Sequence, residues 1–155
     1  SDVYKRQHYY KGVDIAPSAI AAAKTRSVNE CWGNNVDFEV GDIESLAHQD
    51  FDIVISLGLT DWLSDEDLNA LFALSKNGDF FHSISEHRNS ISQLAHKIYV
   101  QLSYGYKTAG YKPRYFTVAE VENFISYSGH KGYFYRNPHL SFGAFVSSFQ
   151  INSNL

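Results

Sequence analysis

Acidic side chains stand where apolar runs end in this chain. Tyr9 to Val13 is an extended apolar segment that stops at Asp14, just before Pro17 opens an alanine-rich stretch, and VDFEV (Val36 to Val40) stops at Gly41 and Asp42. A carboxylate closing a strand can accept charge-assisted hydrogen bonds from the neighbouring hydroxyls of a sugar. A second one can take the amine of a base, while the next backbone N–H, here of Ile43 after Ile15 has followed the first acid, donates to a ring nitrogen. Ser56, Leu57 and Gly58 leave a third apolar run and lead to Asp61 and Trp62, and Glu86, His87 and Arg88 leave a fourth. His87 is the leading general base and Asp61 the second, since each could take a proton from a nucleophile held in line with an electrophile. Plainer roles stay open for the same residues. Asp14 suits the start of a helix, Asp42 suits a turn after glycine, and His87 suits an exposed loop. His82, inside an apolar run, reads as a hydrogen-bonded core histidine.

Those positions need elements to hold them. Pro17 fits a first helical turn, and Ile20 with Ala21 to Lys24 carries a helix to about Val28, although Ala16 is a poor cap. Asn29 to Asn35 reads as a loop and VDFEV as a strand. FDIVISL (Phe51 to Leu57) is an apolar, β-rich run of the kind buried on both faces of a parallel sheet, and is expected to be its central strand. Ser64 with Asp67 makes a capping box for a helix whose Leu68, Leu71 and Phe72 share a face, with Asn77-Gly78 as its stop. DFFHSIS (Asp79 to Ser85) is a further strand, and Ser90 to about Tyr104 has helical spacing at Ile91, Leu94, Ala95, Ile98 and Leu102. Thr117 with Glu120 caps a helix that Gly129 ends. GYFYR and LSFGAFVSSFQI, joined through Asn137-Pro138, finish the chain as an antiparallel hairpin at the sheet edge. Alternation of strand and helix predicts a doubly wound α/β sheet with right-handed crossovers, whose ligands sit beyond the carboxyl ends of its strands. Asp14, Asp42, the segment after Leu57 and the segment after Ile84 are then four strand exits expected to converge on one crevice. The first two acids would specify an adenosine.

Composition narrows the classes. A chain of 155 residues with 44% hydrophobic and 19% charged side chains fits one globular domain. A formal net charge of -4 without a Lys/Arg cluster argues against nucleic acid as a partner. One cysteine, Cys31, cannot form an internal disulfide, which fits a reducing cytoplasm, and no apolar run is long enough to span a bilayer. Ser1 to Gln7 (SDVYKRQ) has neither helical nor strand periodicity. DVYKRQ resembles the translation of a transposase end used to prepare sequencing libraries, so residues 1–7 are expected to be a non-native scar and residues 8–155 a partial domain; an ordinary disordered N-terminus is the alternative.

GVDIAPSAIAAAK, VDFEVGDIESL, FDIVISLGLTDWL and the closing FTVAEVENFISYSG with its hairpin resemble class I S-adenosylmethionine-dependent methyltransferases, over essentially Tyr9 to Ile151. The resemblance implies a Rossmann-like, mostly parallel sheet and S-adenosylmethionine as cofactor. It implies that Asp14 with Ile15 holds the ribose, that Asp42 with Ile43 holds adenine, and that Ser56, Leu57 and Gly58 flank the methionine part. The family's glycine-rich loop belongs upstream of Tyr9, together with the first strand and helix. The expectation is that this chain alone binds cofactor poorly and folds poorly. The acceptor would be a small molecule, O- or N-methylated. Trp62, Glu86 and Arg88 line its side, and YVQLSYGYKTAGYKPRY, with Tyr104, Tyr106, Tyr111 and Tyr115, lies where such enzymes carry substrate-recognition insertions; packing of these tyrosines onto the domain is the plainer role. No metal ligand set is expected.

Two other classes stay open. An NAD(P)-dependent oxidoreductase would also want Asp14 on a ribose, but its Tyr-x-x-x-Lys match, Tyr127 to Lys131, is interrupted by Gly129. A nucleic-acid amine methyltransferase would show an Asn/Asp-Pro-Pro-aromatic signature where SLGLTDW stands. A non-catalytic nucleoside-binding or scaffold domain would keep the fold without turnover.

Overall fold

The computed structural model describes residues 9–87, 98, 114–136 and 143–151. It divides into two compact units, Ser1–Leu46 and Ala47–Leu155. Of the expected helix near Ser90 to Tyr104 only Ile98 is described, and it is helical; the Asn137-Pro138 turn lies outside the described residues.

In the first unit β1 (Tyr10–Asp14) runs parallel to β2 (Val36–Val40), and α1 (Pro17–Asn29) connects them and packs on β2. Tyr10 pairs with Val36, Gly12 with Phe38 and Asp14 with Val40, so these six residues share one face. Gly12 is required there by space. A Cβ at this position would stand 2.6 Å from Cδ1 of Phe38, whose ring lies over the glycine. On the other face Lys11 Nζ meets Glu39 Oε2 at 2.7 Å, and the carboxylate raises the lysine pKa. As expected, Pro17 starts α1 and Ala16 supplies no side-chain cap. Ile20 and Phe38 are the buried apolar side chains among the described residues of this unit.

In the second unit β3 (Ile53–Ser56), β4 (Asp79–Ser85), β5 (Tyr133–Arg136) and β6 (Gly143–Ser147) form one sheet in the order β3-β4-β6-β5. β3 and β4 are parallel, while β6 is antiparallel to both β4 and β5. The terminal hairpin is therefore present, with its second strand inserted beside β4 and its first strand at the edge. α2 (Asp65–Ala73) joins β3 to β4, and α3 (Val118–Ser126) precedes β5. Both capping boxes are made: Ser64 accepts from the Asp67 N–H and Thr117 from the Glu120 N–H, with the reciprocal bonds in place. Leu68, Phe72, Phe80, Ile84, Phe116, Val121, Phe124, Ile125, Ala144 and Val146 make the core.

Two expectations change. α2 ends at Ala73, because from Ser75 the backbone closes i→i+3 bonds, Ser75 to Phe72 and Lys76 to Ala73, and turns before Asn77-Gly78 is reached. Gly78 serves a close approach instead, since a Cβ there would lie 2.0 Å from the Phe51 carbonyl oxygen. β3 is an edge strand of its sheet and not a central one. A parallel strand is buried on both faces only when both are covered. Here Ile53 and Ile55 remain 45% and 55% exposed while Ser56 is buried.

Candidate functional site

The exits of β1 and β2 lie side by side. Asp14 pairs with Val40, and the Gly41 N–H donates to the Asp14 carbonyl at 3.1 Å, which brings Asp42 two residues past the end of the ladder. Each acid is exposed. Asp14 Oδ1 accepts from the Ala16 N–H at 2.7 Å, and Asp42 Oδ1 accepts from the Ser45 N–H at 3.0 Å. These are Asx-type turns, natural where a strand must leave a sheet and start a helical turn: Pro17 follows the first, and a 3-10 turn over Glu44–Leu46 follows the second. The helix-start and turn-forming roles are thus real, and they use one oxygen of each carboxylate. Oδ2 of each has no partner among the described residues. Ile15 is 77% exposed and Ile43 half-buried. A groove of about 560 Å³ in this unit, lined by Tyr10, Arg26, Trp32 and Phe38 among others, contains none of these residues.

In the second unit the exits of β3 and β4 are joined by side chains. Buried Ser56 Oγ meets His82 Nδ1 at 2.9 Å. Ser83 Oγ accepts from the Gly58 N–H at 2.7 Å, and the Ser83 carbonyl accepts from Thr60 Oγ1 at 2.7 Å. Asp61 accepts twice from Ser85, at Oδ1 from the N–H (3.0 Å) and at Oδ2 from Oγ (2.6 Å), and its carbonyl accepts from the Arg114 N–H at 2.8 Å. Gly58 takes φ of +68°, a left-handed conformation that favours glycine. Leu57 is 67% exposed.

His82 is the core histidine expected from its place inside a strand. It is fully buried, stacked on Phe80 with centroids 5.4 Å apart and edge-on to Phe72 at 5.0 Å. Burial pushes its pKa down to about 3, so the imidazole is neutral. His87 is exposed, and its N–H donates to the Phe116 carbonyl at 2.8 Å. Glu86 is held by Arg136 in a forked pair, Nε to Oε2 at 2.8 Å and Nη2 to Oε1 at 2.7 Å. Trp62 sits half-buried in a 3-10 turn over Thr60–Trp62. Tyr115 is half-buried, and burial first, then the Asp61 charge, raise its phenol pKa. Arg114 reaches Asp65 and Glu120 at the starts of α2 and α3 and lies over the Phe116 ring. Arg88, Tyr104, Tyr106 and Tyr111 lie outside the described residues. Among the described residues no group of three or more His, Cys, Asp or Glu side chains could hold a metal ion, and no helix is long and apolar enough to cross a membrane. Ser83 and Ser85 were not legible as site residues. Their signal was the polar alternation of HSIS within an otherwise apolar strand.

A family model described as a methyltransferase domain matches residues 2–77. Magnesium protoporphyrin IX methyltransferase from Synechocystis PCC 6803, solved with bound SAH, is 14% identical with a TM-score of 0.62, over 90% of this chain and 63% of that one. The fold is Rossmann-like, as in that methyltransferase. The PH0226 protein from Pyrococcus horikoshii OT3 superposes with a TM-score of 0.64 at 17% identity, over 90% of this chain and 70% of that one. Human N-acetylserotonin methyltransferase, in complex with SAM, gives 0.59 at 13% identity, over 90% and 39%. No curated protein matches this chain. The chain spans about half the length of several of the solved structures it resembles.

Proposed function

We propose that this chain is the cofactor-binding part of a methyltransferase that takes S-adenosylmethionine and methylates the oxygen or nitrogen of a small molecule. The reading is carried by one observation. Two exposed acids stand at the ends of adjacent parallel strands, each oriented by a backbone N–H on one oxygen and open on the other. That donor-seeking pair fits the hydroxyls of a ribose and the amine of adenine.

Asp14 with Ile15 binds the ribose, Asp42 with Ile43 binds adenine, and Ser56, Leu57 and Gly58 flank the methionine part. The bound cofactor supplies a sulfonium methyl, which is already a good electrophile. The protein's task is then to aim the acceptor and, where the acceptor carries a proton, to remove it. His87 takes that proton, because it is exposed at the exit of β4. Asp61 is the second choice, since both its oxygens already accept from Ser85. Trp62, Glu86 and Tyr115, and from the sequence pattern Arg88, Tyr104, Tyr106 and Tyr111, are assigned to acceptor binding.

Calorimetric titration of the whole protein with S-adenosylmethionine and with NAD tests this. Binding of the first and not the second is expected. Preference for the dinucleotide overturns the reading, and so does an Asp14→Ala variant that loses no more affinity than Asp61→Ala.

A further inference from the structure

The backbone ladder between β3 and β4 ends at the pair Ser56 and His82. Beyond it the chain turns away through Gly58, and the parallel pairing can no longer hold it. Side chains and one carbonyl of β4 take over: His82 on Ser56 Oγ, Ser83 on the Gly58 N–H and Thr60 Oγ1, and Ser85 on the Asp61 carboxylate. Successive β4 side chains point to opposite faces of the sheet, so His82 grips the segment from one face while Ser83 and Ser85 grip it from the other.

His82 is a costly choice for this place. Its Nε2 is buried with no hydrogen-bond partner among the described residues, in a cage of Phe72 and Phe80 that an apolar ring would fill as well. A group kept at such a cost needs a reason, and the one bond it makes is to Ser56. The neutral imidazole suits that bond, because burial keeps it from taking a second proton.

The geometry points to His82 and Ser83 as positioning residues for the cofactor: they fix the hydroxyl of Ser56 and the left-handed turn at Gly58 so that the exit of β3 is preformed for the methionine part. This rests on the function proposed above. Neither residue touches the ligand; each acts through the segment it holds. Preorganisation of this kind raises affinity by removing the ordering cost from the binding step.

The test uses three variants of the whole protein, His82→Phe, His82→Asn and Ser83→Ala, with thermal unfolding, S-adenosylmethionine titration and hydrogen exchange across residues 56–61. His82→Phe should unfold at the same or a higher temperature yet bind about tenfold more weakly, the equivalent of one lost hydrogen bond. Exchange at 56–58 should rise with it. His82→Asn, which can still bond Ser56, should recover most of the affinity, and Ser83→Ala should speed exchange at Gly58 and weaken binding by a similar factor. Unchanged affinity in His82→Phe and Ser83→Ala overturns the proposal, as does an affinity loss in all three variants that only follows a fall in unfolding temperature. A wild-type protein that binds no S-adenosylmethionine, with Ser83→Ala still speeding exchange at Gly58, overturns the cofactor reading and leaves the bracing established. Exchange that does not change overturns the bracing.

Discussion

In the first unit Asp14 and Asp42 are oriented by backbone N–H groups two and three residues away, whereas in the second Ser56, Gly58 and Asp61 are held by residues 24 to 26 positions distant. The packing differs in the same sense. Among the described residues, two buried apolar side chains serve the first unit, against a continuous ten-residue core in the second. Local turns orient a side chain without needing a core behind them. A segment braced through a neighbouring strand is only as well placed as the core that fixes that strand. The two sets of candidate residues should therefore fail in different ways.

The largest effect is expected in the core of the second unit. Phe80 is fully buried against Phe72 and His82, and Phe80→Ala should cost about 3–5 kcal/mol in urea unfolding. Phe38→Ala removes a ring of equal size from a unit with little behind it, and should cost clearly less. Equal losses would remove the contrast between the units.

Acid should weaken the second unit through His82. Its folded pKa of about 3 lies below the ordinary value of 6.5, so between those limits the unfolded chain binds a proton that the folded chain does not. Stability is complete above 6.5 and declines as pH falls toward 3, by roughly 3 kcal/mol two units down. His82→Phe should flatten that part of the pH profile, measured by denaturation at pH 7 and pH 4.5. A slope that survives the substitution assigns it to other groups.

The contrast also explains what was legible in the sequence. Pro17, the capping boxes at Ser64 and Thr117, and the acids after two strands are local signals, and each lies where expected. The place of β3 was not local. Its apolar run resembles that of a central strand, but edge or centre depends on what pairs with it, and Ile53 and Ile55 carry no mark of that. The insertion of β6 beside β4 is likewise a matter of partners. The alternation of Ser83 and Ser85 within HSIS marks polar positions in the strand, but not what they hold, which depends on the loop beyond β3.

Asp61→Ala separates bracing from chemistry. It strands the Ser85 N–H and hydroxyl in a part-buried setting, at a cost of about 1–3 kcal/mol by thermal unfolding. Stability unchanged within error would mean that Asp61 is not a brace, and would restore it as a base.

Asp14→Asn should have the smallest effect on stability and the sharpest meaning. Asparagine can still accept from the Ala16 N–H and form the same turn, and the position is exposed, so unfolding should shift by no more than about 0.5 kcal/mol. What the substitution removes is the charge that strengthens hydrogen bonds from two hydroxyls. In the whole protein S-adenosylmethionine binding should weaken about tenfold while the unfolding curve stays in place. If affinity holds and stability falls, Asp14 belongs to the helix start alone, and the difference between a locally oriented ligand group and a long-range brace disappears.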